Sequence, residues 1–153
     1  MKNLKMILTT LVFALFFQNV NAQFQTASYT SNTSLEENAL YATVALELGG
    51  YEIADVYETS LEEGEEGTVS RMFLSGNEYV VLAVSEDGVR DLDISLVDTY
   101  GNVVTKDIDE NDGGSAIVQT FSNSSKRLKI NVKNYDSANG YSSYDMIIMV
   151  AYK

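Results

Sequence analysis

The chain has no cysteine and no histidine among its 153 residues, and ten basic residues against twenty-two acidic ones. Without cysteine there are no disulfides, so stability has to come from core burial, a bound ion or a partner. The same absence removes the lipid-anchored form of an exported protein, which needs a cysteine at its processing site. Without histidine or cysteine, Ser-His-Asp and Cys-His nucleophiles and His-ligated zinc sites are all excluded. Carboxylate-only or lysine-based chemistry is what survives. The net charge of −12 argues against nucleic acid or anionic membrane as a partner, because phosphate contacts depend on Lys and Arg.

The first 22 residues, MKNLKMILTTLVFALFFQNVNA, place Lys2 and Lys5 before an apolar run from Met6 to Phe17, then Val20-Asn21-Ala22 before Gln23. That is the order of a cleavable secretory signal. The run is too short for a membrane span, which needs about 20 apolar residues. Cleavage after Ala22 removes two basic residues and no acid, shifting the net charge from −12 to −14. The expected product is secreted or periplasmic, with no membrane attachment after cleavage and a length that suits one domain.

Residues 23–33 are polar and aperiodic and read as a disordered leader. One domain is expected over 34–153. Ser34-Leu35-Glu36-Glu37 has the spacing of a capping box, the following ENALYATVALEL is rich in Ala and Leu, and Gly49-Gly50 offers a stop. The spacing predicts a helix over 35–48 in which Glu36, Thr43 and Glu47 fall on one narrow stripe while residues 39–42, 44–46 and Leu48 make an apolar surface. Such a helix must lie against something apolar.

Beyond Gly50, short runs rich in Val, Ile, Tyr and Leu alternate with Gly, Asn, Asp and Ser clusters, the rhythm of a sandwich or barrel. Asp91 to Leu96 puts Leu92, Ile94 and Leu96 on one face, and Arg127 to Lys133 alternates as cleanly with its cations outward. The runs 68–74 and 78–85, joined by Ser75-Gly76-Asn77, are expected to pair as a hairpin. Tyr144 to Tyr152 is apolar on both faces, as a central strand or one covered by the helix would be. Eight strands in all fit a mostly β fold of two antiparallel sheets.

The order FLSGNEYVVLAV, RDLDISLVDTYGNVVTKD and KRLKINVKNYDSANGYSSYDMIIMV resembles the pre-peptidase C-terminal domains of secreted bacterial proteins. The matching positions are Leu74, Gly76 and Tyr79, then Asp91-Leu92-Asp93-Ile94, then Asp98 with Gly101, then Tyr144 to Val150, within residues 68–152. The resemblance implies a jelly-roll-like β-sandwich and a role in secretion, localisation or adhesion. Those domains usually follow a secreted enzyme, and no enzymatic domain accompanies this one, so such a role is expected to act in trans. The helix lies outside the shared pattern.

Carboxylates gather at Asp91 and Asp93, at Asp98, and at Asp107, Asp109, Glu110, Asn111 and Asp112. Hard oxygen ligands at this density can hold calcium, and some relatives of the resembled family bind it. Asp107-x-Asp109-x-Asn111 copies the first ligands of a calcium loop, but Gly113 comes one place late and Val118 stands where the closing Glu belongs. The plainer reading is that these Asp and Asn side chains cap turns or are solvated. Tyr57, Tyr100, Tyr135, Tyr141 and Tyr144 fall near loops or strand ends, where an aromatic body with a polar tip suits polysaccharide or extended peptide. Their plainer reading is as ordinary strand residues. The acidic EEGEE at 62–66 reads as a soluble turn, and the sequons at Asn32 and Asn123 carry no weight.

Three function classes remain. The first is a secreted, non-catalytic binding or adhesion module for an extracellular or envelope glycan or protein, with calcium as its one candidate cofactor. The second is a structural or inhibitory partner of another secreted protein, which an exposed apolar face on the 35–48 helix would favour. The third is a carboxylate-only enzyme, with two acids across a cleft at about 5 to 10 Å.

Overall fold

The computed structural model describes residues 35–108, 113–138 and 143–153. The signal, the leader and Ser34 of the capping box lie outside the described residues. The helix α1 spans Leu35–Leu48. It ends where the helical pattern runs into the glycines: Gly50 takes φ 79°, its amide donates to the Glu47 carbonyl, and the Tyr51 amide reaches back to Leu46 at 3.0 Å. This left-handed stop satisfies carbonyls the helix would otherwise leave open and seats Tyr51 beside Leu46.

Eight strands follow: β1 Glu52–Leu61, β2 Glu66–Phe73, β3 Glu78–Ser85, β4 Val89–Val97, β5 Val103–Asp107, β6 Ser115–Phe121, β7 Lys126–Ser137 and β8 Tyr144–Tyr152. They form two four-stranded antiparallel sheets, ordered β1-β8-β3-β6 and β2-β7-β4-β5. The pairs β1 with β8, β2 with β7, β3 with β6 and β4 with β5 nest inside one another. The chain is therefore one long antiparallel ribbon, doubled back at the β4–β5 turn and rolled up, which is the winding of a jelly roll.

One expectation fails here. Runs 68–74 and 78–85 do not form a hairpin: β2 pairs with β7, and β3 pairs with β6 and β8 in the other sheet. The intervening turn is fastened to the β6–β7 turn instead. Gly76 donates to the Ser122 carbonyl at 2.8 Å, Ser122 donates to Asn77, and Ser75 bonds both Ser125 Oγ and the Asn123 carbonyl. These bonds carry the chain across the edge of the sandwich.

Between the sheets, Leu92, Ile94 and Leu96 of β4 meet Leu128, Ile130 and Val132 of β7, with Phe73, Tyr79, Val81, Met146, Ile148 and Val150. Burying one such Leu or Ile contributes about 1.5–3 kcal/mol. A second apolar layer, from Ala42, Leu46 and Tyr51 to Val80, Val84, Met149 and Ala151, fixes α1 on the outer face of the β1-β8-β3-β6 sheet. This explains why β3 and β8 are apolar on both faces: one face meets the core and the other meets the helix. Asn38 of α1 adds a buried bond, its Nδ2 donating to the Ser85 carbonyl at 3.0 Å. No helix among the described residues is long and apolar enough to cross a membrane.

Candidate functional site

The helix covers the middle of one outer face of the sandwich, over β3 and β8, and leaves the other face open. The outward positions of the β2-β7-β4-β5 sheet follow directly from the alternation that buries Leu92, Ile94, Leu128 and Ile130. On β2 they are Glu66, Thr68, Ser70 and Met72; on β7, Arg127, Lys129, Asn131, Lys133 and Tyr135; on β4, Asp93, Ser95 and Val97; on β5, Lys106. Register sorts them into rows across the sheet. Met72 lies opposite Arg127; Ser70, Lys129 and Val97 align; Thr68, Asn131, Ser95 and Lys106 align; and Glu66, Lys133 and Asp93 align.

The middle row is hydroxyl and amide. Thr68 Oγ1 donates to Asn131 Oδ1 at 3.1 Å, which orders the two side chains, and Ser95 stands opposite Asn131 on the neighbouring strand. In the next row Lys133 stands between two carboxylates. Burial, with Asp107 adding to it, holds the Asp93 carboxyl above its usual range against the opposing pull of Lys133 and Lys106. Beyond it the Lys133 ammonium lies 4.8 Å from the centre of the Tyr135 ring, and that ring is 56% exposed. At the opposite end Tyr100, 90% exposed, projects from the β4–β5 turn, and Val103 of β5 and Met72 of β2 are exposed as well. The face can stack, donate hydrogen bonds and attract negative charge.

The expected site residues separate on the structure. Tyr100 and Tyr135 bracket this face. Tyr144 does not belong to it: the residue is buried in the core, with its ring against Gly88, because β8 turns this side chain inward between the sheets. Tyr141 lies outside the described residues. Asp98 caps its own turn, accepting from the Tyr100 and Asn102 amides at 2.8 and 2.9 Å and from Asn102 Nδ2, and these bonds, the Asn102 side chain first, hold its carboxyl below the usual range. Asp107 accepts the Ile117 amide at 2.8 Å, joining β5 to β6. Asp91 is buried, and Asp93 sits in the Lys133 row. Asp109, Asn111 and Asp112 lie outside the described residues, and among the described ones no group of three or more acids converges as a metal would require.

Sequence reasoning missed Arg71. It occupies an inward position of β2, where alternation calls for an apolar residue. Its guanidinium pairs with Asp55 of β1 and lies 5.7 and 5.5 Å from the Phe73 and Tyr79 rings. The signal was a charge in phase with Val69 and Phe73.

No protein-family model matches the chain, and no curated protein matches it. Among solved structures it is similar to PliG of Aeromonas hydrophila, a periplasmic inhibitor of g-type lysozyme, at 14% identity over 68% of this chain and 89% of that one, TM-score 0.49. It is also similar to the Yersinia pseudotuberculosis-derived mitogen, at 16% identity over 65% of this chain and 85% of that one, TM-score 0.43. A third is Pseudomonas aeruginosa AlgX, at 14% identity over 74% of this chain and 30% of that one, TM-score 0.45. Likeness this distant carries no argument about ligand or activity.

Proposed function

We propose that the chain is a secreted or periplasmic, non-catalytic recognition module that binds an extracytoplasmic glycan or matrix polymer through the open face of the β2-β7-β4-β5 sheet. One observation carries this reading: of two outer faces, one has its centre on β3 and β8 covered by α1, and the other presents ordered hydroxyl, amide, cationic and aromatic side chains to solvent. A flat face of this kind recognises an extended polymer through many modest contacts rather than enclosing a small molecule. Glu66 and Asp93 flank Lys133 on open sheet surface rather than facing each other across a cleft, which favours binding over acid and base catalysis. The nested strand order supports reading the chain as similar to pre-peptidase C-terminal domains.

The helix offers less to a partner. Leu40 and Leu48 are its large exposed apolar residues, far short of the roughly 800 Å² per side that a stable protein interface buries.

Co-sedimentation with a panel of insoluble polysaccharides, collagen and cell-envelope fractions tests the reading. Retention on at least one glycan is expected, reduced when Tyr100 and Tyr135 are both changed to Ala, with the unfolding midpoint unchanged because both rings are exposed. Stacking losses of about 0.5–1.5 kcal/mol per ring set the scale of the reduction. Failure across the whole panel would overturn the proposal.

A further inference from the structure

We infer that the preferred ligand of this face is a polyanionic polysaccharide, whose sugars bear carboxylate or sulfate groups; the inference rests on the recognition reading above. The observation behind it is a sorting of charge. Twenty-two acidic residues outnumber ten basic ones in the chain, yet Arg127, Lys129, Lys133 and Lys106 all project from this sheet against Glu66 and Asp93.

Register sharpens the imbalance. Glu66 and Asp93 both lie opposite Lys133, and Lys106 lies close enough to Asp93 to act on its carboxyl, so these two acids and two lysines compensate one another locally. Arg127 faces Met72, and Lys129 faces Ser70 and Val97, none of which carries charge. None of the ion pairs among the described residues, Arg71–Asp55, Arg90–Asp136 and Lys153–Glu78, engages these two cations. Asp98, which follows Val97 at that end, has both oxygens turned to its own turn.

Arg127 and Lys129 stand about 7 Å apart along β7, and Lys106 lies two strands over, about 10 Å across the sheet. The spread suits anionic groups repeated along a polymer better than one small anion. Whole-chain acidity does not cancel the patch, because charges farther away than about 8 Å are largely screened at physiological ionic strength. The Thr68–Asn131–Ser95 row meets ring hydroxyls, and Met72, Val103 and Tyr100 meet the apolar faces of sugar rings. Polyglutamate has no sugar-ring hydroxyls or ring faces for these groups to meet.

Affinity electrophoresis of the full protein through gels containing a soluble polyuronate, a neutral glucan or polyglutamate separates the outcomes. Retardation in polyuronate that falls as salt rises, with little in the neutral gel, is expected. Lys129→Gln should weaken it roughly two- to five-fold, while Lys153→Gln, a cation on the other sheet, should not. The double charge reversal Arg127→Glu with Lys129→Glu should abolish it at an unchanged unfolding midpoint. Equal retardation in neutral and charged gels, indifferent to salt and to these variants, would overturn the anionic preference and leave the recognition reading standing. Retardation in polyglutamate as strong as in polyuronate would assign the face to acidic proteins and overturn the polysaccharide. No retardation in any gel would overturn the anionic preference, and the co-sedimentation panel above then decides the recognition reading on its own.

Discussion

Arg71 of β2 and Asp55 of β1 form an ion pair across the gap between the two sheets, where each sheet has an edge strand. The arginine side chain is 17% exposed and the aspartate 41% exposed, so the pair is buried on one side and wet on the other. Its Nη1 is buried without a hydrogen-bond partner among the described residues. The cation therefore depends on Asp55 and on the faces of Phe73 and Tyr79.

Removing the aspartate should cost more than replacing the arginine with an apolar residue of similar length. Asp55→Asn leaves a desolvated guanidinium uncompensated and is expected to lower stability by about 1–3 kcal/mol, below the fully buried range because Asp55 is partly solvated. Arg71→Met should lie near neutral, since it removes the buried charge and keeps the packing. Urea unfolding of both variants checks the order. The reverse ranking would show that the pair itself stabilises the edge.

A second network predicts pH dependence. Tyr51 Oη donates to Glu78 Oε1 at 2.5 Å, Gln119 Nε2 also donates to this carboxylate, and Lys153 Nζ lies 3.6 Å away. The Tyr51 bond leads the causes that hold the Glu78 carboxyl below its usual range. A carboxyl depressed in the folded state adds stability above its unfolded pKa, and that stability is lost as pH falls through the lower, folded value. Unfolding midpoints should therefore drop on the acid side of the ordinary glutamate range, and Glu78→Gln should flatten that limb by losing stability at neutral and alkaline pH, where the carboxylate is ionised, while changing little in acid. Equal acid limbs in the two proteins would remove Glu78 from the account.

Gly88 gives a steric prediction. It takes φ 116°, and a Cβ there would stand 2.5 Å from Tyr144 Cε1. Gly88→Ala meets both an unfavourable backbone region and an aromatic ring held in the core, and should destabilise by about 2–4 kcal/mol. Gly101, also at positive φ but with open space around it, should lose less on the same change. Thermal unfolding of the pair separates backbone strain from the clash, and equal losses would show that Tyr144 moves aside at little cost.

Several elements were legible because their information is local. Helix 35–48 was readable from composition and the glycine stop, and the faces of β4 and β7 from simple alternation, since a side-chain period of two leaves one consistent way to bury Leu92, Ile94, Leu128 and Ile130. The β2–β3 hairpin was misread because a short Gly-containing turn looks alike whether it returns the chain to its neighbour or carries it to another sheet. The bonds from Ser75 and Gly76 to the 122–125 turn decide that, and they join residues far apart in sequence.

The candidate face shows the same division. Lys129 and Lys133 could be placed outward from their own strand, but that Glu66 and Asp93 flank Lys133 while Lys129 meets no acid depends on register between strands distant in the chain. Tyr135 and Tyr144 looked equivalent as tyrosines near strand ends; the twist and pairing of β7 and β8 left one in solvent and put the other in the core.

By itself the amino-acid order determined the excluded chemistries, the helix, the strands and which way most side chains alternate, because each of these is set by residue type or by neighbours a few positions away. Only the tertiary structure decided which strands share a sheet, which outer face the helix covers and where the scarce positive charge collects. Those outcomes arise from contacts that form only when remote segments are brought together.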